Sequence, residues 1–133
     1  MVLAVDVFYK GTSAKSVGTI FKWEDDEPKQ ILTEHIENIE KYESGMFYKR
    51  ELPCIIKILQ KVDLFYIDAI VIDGYVYVNN KKKLGLGGFL WNVLERKIPV
   101  IGVAKNKFYN NSETVEEIKR GKSNKPLCRL PLF

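Results

Sequence analysis

The chain has 133 residues, of which 46% are hydrophobic and 12% aromatic, enough apolar material for one compact domain over 1–133 and too little for two comfortable ones. No apolar run reaches bilayer length, and the chain opens on a strand-like segment, so neither a membrane span nor a cleaved secretory signal is expected. The formal net charge of +4 permits a polyanionic partner without demonstrating one. Cys54 and Cys128 lack metal-ligand spacing, which points to reduced thiols and a cytoplasmic setting.

Val2 to Tyr9 reads as a buried strand, and Ser16 to Trp23 as a second with alternating faces. Gly11 between them favours a hairpin. The acidic stretch "EDDEPK" is a solvated turn. Gln30 to Glu40 is ambiguous, because Ile31, His35 and Ile39 fall at helical spacing while Ile31 and Ile39 also share a strand face. Pro53 is suited to the first position of a helix, with Ile55, Ile58, Leu59 and Val62 as its apolar stripe. Asp68 to Asp73 is a strand, followed by a polar, lysine-rich loop. Leu86 to Lys97 reads as a helix with Leu86, Phe89, Leu90, Val93 and Leu94 facing the core, and "IPVIGVA" as a further buried strand. Strands first, then alternating helix and strand, predict an α/β fold: a mixed sheet covered by helices.

Two carboxylates interrupt these apolar strands, Asp6 in "VLAVDVFY" and Asp73 in "AIVIDGYVYV". A lone buried carboxylate costs several kcal/mol or more without a partner, so two of them in one small domain ask for a shared explanation. If the first and fourth strands are parallel neighbours, their backbones lie ~4.8 Å apart and the two aspartates can point into one site. Carboxylates that close repel each other, and a divalent cation is the usual remedy. Mg²⁺, a hard ion, suits a few carboxylates, several waters and a phosphate oxygen.

Four segments, "AVDV", "YESGMFYKRELP", "VIDG" and "IGVAK", stand in an order and local spacing that resemble the endonuclease V family, nucleases that cut nucleic acid near inosine, the deaminated form of adenosine. The resemblance implies an RNase H-like fold and a Mg²⁺ site, with Mn²⁺ able to substitute, built from Asp6, Glu51 and Asp73. Asp6 and Asp73 would hold the ion, with Glu51 a third ligand directly or through water. Lys105 would hold the phosphate or orient the attacking water, since its ammonium supplies three donors. Tyr42 would inherit the family's wedge beside the modified base, and Gly45 would let the backbone approach that base, as would Gly74. The resemblance also tips the ambiguous Gln30–Glu40 segment towards strand.

The chain departs from the family in two places. Lys41, Glu43 and Ser44 stand where the wedge tyrosine usually has prolines and an isoleucine beside it. Where the family reads His-Pro-Arg, this chain has "VNNKKKLGLGG". Asn79 or Asn80 takes the place of the histidine, and Lys81, Lys82 and Lys83 keep positive charge for phosphate contact. His35 lies outside all four segments. The reading is thus a Mg²⁺-dependent endonuclease acting on inosine-containing DNA or RNA, with no membrane role and no identified protein partner. Two alternatives stand beside it: a nucleic-acid-binding relative with weak or absent turnover, and an RNase H-like nuclease of other specificity.

Overall fold

The computed structural model describes residues 1–39, 47–104, 112–118 and 127–129. By its internal contacts the chain divides into two compact units, Met1–Ile70 and Val71–Phe133. In chain order the elements are β1 (Val2–Lys10), β2 (Ser13–Phe21), β3 (Gln30–Ile36), α1 (Phe47–Leu59), β4 (Ala69–Asp73), α2 (Leu86–Val93), β5 (Val100–Ala104), β6 (Glu116–Ile118) and β7 (Leu127–Arg129). No helix among the described residues is long and apolar enough to cross a membrane.

In the first unit the strand order is β3-β2-β1-β4. β1 and β2 form the expected hairpin, antiparallel from Val2↔Phe21 to Lys10↔Ser13. Their link is the two residues Gly11 and Thr12, with Gly11 at φ 61°. A positive φ at the first central residue alone marks a type II′ turn, whose twist matches that of the strands it joins. β3 pairs antiparallel with β2 from Ala14↔Ile36 to Ile20↔Gln30, so the ambiguous segment is a strand over Gln30–Ile36, while Glu40 lies outside the described residues. β3 is the outer strand, and Lys61 guards it by donating to the Thr33 carbonyl at 2.9 Å and pairing with Glu34 at 2.6 Å. A lysine at a strand edge discourages pairing with another chain.

α1 begins six residues before the expected start, so Pro53 lies inside the helix rather than at its first position. Proline there removes the bond its N–H would give to the Lys49 carbonyl. The stripe Cys54, Ile55, Ile58 and Leu59, each at most 7% exposed, outweighs that loss by packing against the strands. Val62 falls beyond the helix end. The packing is tight. A Cβ placed on Gly18 of β2 would meet Ile58 Cγ2 at 2.6 Å, and the buried Ser16 hydroxyl donates to the Cys54 carbonyl at 2.9 Å. After α1, Asp63 caps a single 3₁₀ turn over Leu64–Tyr66 by accepting from the Phe65 N–H.

The second unit has the order β4-β5-β7-β6, β4 carrying the chain across the division. β5 pairs antiparallel with β7, and β7 with β6. α2 is shorter than expected. It ends at Val93, because Glu95 and Arg96 adopt φ 55° and 58°. Arg96 N–H donates to the Trp91 carbonyl at 2.8 Å and Glu95 N–H to the Asn92 carbonyl at 2.9 Å, the pair of bonds that defines a Schellman cap. Leu86 and Leu90 are buried as expected, whereas Val93 is half exposed.

Candidate functional site

Asp6 and Asp73 are both exposed, which corrects the expectation that these strand carboxylates are buried. In β1 the alternation turns Leu3, Val5 and Val7 to the face that α1 covers, and Asp6 to the other face with Ala4 and the exposed Phe8. Asp6 sits opposite Val17 of β2, and its Oδ1 accepts the Val7 N–H at 3.0 Å. No desolvation cost therefore needs to be offset at either aspartate.

Among the described residues, Glu51 is the buried carboxylate, at 4% exposure. It belongs to the helical series 51, 54, 55, 58 and 59, so the rotation of α1 that buries Ile55 and Ile58 also turns Glu51 towards the sheet. Its surroundings are Tyr9, Arg50 and Cys54. The Arg50 guanidinium lies over the Tyr9 ring, 3.7 Å from its centroid. Burial pushes the Tyr9 hydroxyl well above the usual phenol range, the Glu51 charge adds to this, and Arg50 opposes it. Burial likewise raises the Cys54 thiol, with Glu51 the second cause. Tyr9 and Arg50 did not figure in the sequence reading. No period in the sequence marks either of them; extending α1 back through Glu51 gives only Glu51 its inward place, at i−3 from Cys54 and i−4 from Ile55.

Asp73 closes β4 and is followed by Gly74 at φ 135°, a conformation that side-chain-bearing residues rarely adopt. Gly74 N–H donates to the Val103 carbonyl at 2.8 Å. Gly102 of β5 has no room for a Cβ, because the Gly74 carbonyl oxygen occupies that space. Two glycines in contact thus hold the main chain that carries Asp73.

Among the candidate substrate contacts, Asn79 and Asn80 have structural work to do. Asn79 Oδ1 accepts the N–H groups of Lys81 and Lys83 at 3.0 and 3.2 Å, and Asn80 Oδ1 accepts the Glu113 N–H at 2.8 Å. Lys81, Lys82 and Lys83 are exposed. Tyr42, Gly45 and Lys105 lie outside the described residues, as do Lys41, Glu43 and Ser44 of the candidate wedge loop.

The donor set expected for Mg²⁺ consists of carboxylate oxygens, the chemical type that a hard cation takes. Among the described residues, no three His, Cys, Asp or Glu side chains gather closely enough to hold a metal ion. Within the first unit the reason is geometric: Asp6 faces away from α1, while Glu51 is turned inward beneath it.

The endonuclease V family model matches residues 1–129. The catalytic domain of human endonuclease V superposes with a TM-score of 0.77 at 17% identity, covering 97% of this chain and 66% of that one. Endonuclease V from Ciona intestinalis, in complex with a DNA containing an inosine followed by a ribo-adenosine, gives 0.80 at 16% identity, covering 97% and 69%. The enzyme from Streptomyces avermitilis gives 0.72 at 21% identity, covering 97% and 64%. The chain thus spans about two thirds of the length of these structures. A search of the curated proteins finds no match. The fold is the RNase H-like α/β fold of the endonuclease V structures, a mixed sheet with helices against it, and on the match over residues 1–129 the chain belongs to the endonuclease V family.

Proposed function

We propose that this protein is a metal-dependent endonuclease that hydrolyses phosphodiester bonds in nucleic acid near inosine. The observation that carries the reading is the exposure of Asp6 and Asp73 within otherwise apolar strands. A carboxylate set in an apolar strand and meeting solvent is open to an incoming cation. Asp6 and Asp73 would hold Mg²⁺, or Mn²⁺ in its place, with Glu51 as the third ligand directly or through water. Held there, Mg²⁺ would supply Lewis-acid chemistry: polarisation of the scissile phosphate, a lowered pKa for a water and stabilisation of charge on oxygen.

The chain's own residues supply the rest. Lys105 holds the phosphate or orients the attacking water. Tyr42 stacks on the displaced base, a contact worth ~1–3 kcal/mol, while Gly45 and Gly74 admit the base to the main chain. Lys81, Lys82 and Lys83 meet the strand's phosphates. The working compartment in this reading is the cytoplasm, where Cys54 remains a thiol.

A second reading is a relative that binds nucleic acid with little or no turnover. It is favoured by the absence of a metal-holding cluster among the described residues. It is favoured too by Asn79 and Asn80: one or the other takes the place of the family's histidine, and both amide oxygens are engaged by main-chain N–H groups. One assay separates the two: purified protein with Mg²⁺ and end-labelled single-stranded DNA and RNA, each with and without one inosine, beside Asp6→Asn and Asp73→Asn. Cuts that need both metal and inosine, and that vanish in both variants, are the expected result. Binding without cutting selects the second reading. Equal cutting of unmodified strands would mean a nuclease of different specificity.

A further inference from the structure

The segment joining Val76 to Gly85 is a built hairpin. Val78 N–H donates to the Lys83 carbonyl at 2.9 Å, Gly85 N–H to the Val76 carbonyl at 2.8 Å, and Tyr77 bridges antiparallel to Leu84. Inside the turn Lys82 N–H donates to the Asn79 carbonyl at 3.1 Å, with Lys82 at φ 60°. The Asn79 side chain closes the tip by accepting two further N–H groups, from Lys81 and Lys83. Asn80 ties the same tip to the Glu113 main chain.

What this scaffold presents is charge. Lys81, Lys82 and Lys83 are all exposed, and among the described residues none of them forms a salt bridge. A lysine run that serves only solubility needs no fixed backbone beneath it. Here three consecutive ammonium stems leave a main chain whose donors are engaged by Asn79 and which accepts Lys82 in the left-handed region, a conformation that costs roughly 1–2 kcal/mol for a side-chain-bearing residue. A surface fixed in advance loses less freedom when an anion docks.

We propose that the 76–85 hairpin is a preformed clamp for the phosphodiester backbone of a nucleic-acid strand, with the three lysines as its contacts and Asn79 as the positioning residue that spaces them. The inference rests on the nucleic-acid reading above and deepens it. It assigns the strand's electrostatic anchor to a place where the histidine chemistry of the family is absent. Asn79 acts through the lysines, and its own amide need not touch the strand.

The test is the anisotropy of a fluorescein-labelled single-stranded oligodeoxynucleotide, titrated with the protein in EDTA at several salt concentrations, so that no cutting intervenes. Each phosphate contact on a single strand steepens the fall of log K against log[salt] by about 0.7. Replacing Lys81, Lys82 and Lys83 together with alanine should therefore flatten the slope by about 2. Asn79→Ala keeps all three charges and should still weaken binding about threefold to tenfold, because the lysines lose their common geometry. The triple variant should melt with the wild type, since the three lysines are exposed, and Asn79→Ala should melt slightly lower for its two lost hydrogen bonds while staying fully folded at the titration temperature. A wild type that binds with an unaltered slope in the triple variant would overturn the clamp and leave the nucleic-acid reading standing. An unaltered affinity in Asn79→Ala would remove Asn79 from the proposal. A wild type that binds no strand at low salt would overturn the clamp, while the reading it rests on stands or falls separately by the inosine cleavage assay above.

Discussion

The Arg50 guanidinium stacks over the Tyr9 ring at 3.7 Å from its centroid, and the next residue of α1, Glu51, turns its carboxylate into the same buried region. The cation is thus held by an aromatic face on β1, where it opposes the upward shift of the Tyr9 hydroxyl and the Cys54 thiol. Cation–π contacts that are partly desolvated contribute up to about 2 kcal/mol. Arg50→Ala would remove that contact and should destabilise the protein by about 1–2 kcal/mol. Arg50→Lys should recover only part of this, because an ammonium has no planar face to lay on the ring. Urea melts of the two variants beside Tyr9→Phe, which keeps the ring, give the ordering that checks the account. Equal stability of Arg50→Ala and wild type would contradict it.

The same cluster makes the fold sensitive to alkaline pH. Cys54 and Tyr9 both hold their protons more tightly folded than unfolded, each chiefly because burial disfavours the charged form. Below the ordinary values of 9.0 for the thiol and 10.0 for the phenol, both groups are neutral in either state and their contribution is complete. As pH rises past those values the unfolded chain releases protons that the folded chain retains, so stability declines until the folded-state values are passed. Urea midpoints measured in EDTA from pH 8 upward should fall, starting near the thiol value. In Tyr9→Phe the upper part of that fall should be shallower. A Tyr9→Phe profile parallel to wild type throughout would show that the phenol does not contribute.

The Schellman cap of α2 offers a stabilising change. Glu95 occupies its left-handed position at φ 55°, where a side-chain-bearing residue is strained by roughly 1–2 kcal/mol and glycine is at ease. The salt bridge between Glu95 and Lys97 joins two exposed side chains and adds little. Glu95→Gly should therefore raise stability by about 0.5–1 kcal/mol, read as a higher urea midpoint with an unchanged slope. A lower midpoint would mean that the side chain matters more than the strain.

These cases show which features were legible in the sequence. An apolar run marked β1 and alternation marked β2, the glycine between them marked the hairpin, and the ordered motifs identified the family. Pro53 misled, because a local preference for the first helical position gave way to the packing of Cys54, Ile55, Ile58 and Leu59. The end of α2 was unreadable for a related reason: no glycine announces a cap in which glutamate is forced into the left-handed region. β6 and β7 have three residues each, too few to display a period. The burial of the strand aspartates was inferred from apolar neighbours along the chain, yet alternation turns each carboxylate away from the residues beside it. Exposure at such positions depends on what covers the face, which is a property of tertiary packing.

The glycine pair beneath Asp73 gives the sharpest structural test of that position. A Cβ at residue 102 would enter the space of the Gly74 carbonyl oxygen, which belongs to main chain and has no rotamer with which to yield. The strand must shift instead, and it shifts at the residue after Asp73. Overpacking of this kind costs about 1–3 kcal/mol. Gly102→Ala should accordingly lower the urea midpoint, and it should reduce Mg²⁺-dependent cleavage of inosine-containing strands under conditions where the variant is still fully folded. Gly11→Ala serves as the comparison. Its Cβ would meet nothing within 4 Å, so the backbone strain at φ 61° is its only cost and Asp73 is untouched. If both variants lose stability but only Gly102→Ala loses cleavage per folded molecule, the placement of Asp73 is what the glycine contact protects. Equal retention of cleavage in the two would show that Asp73 tolerates the displacement.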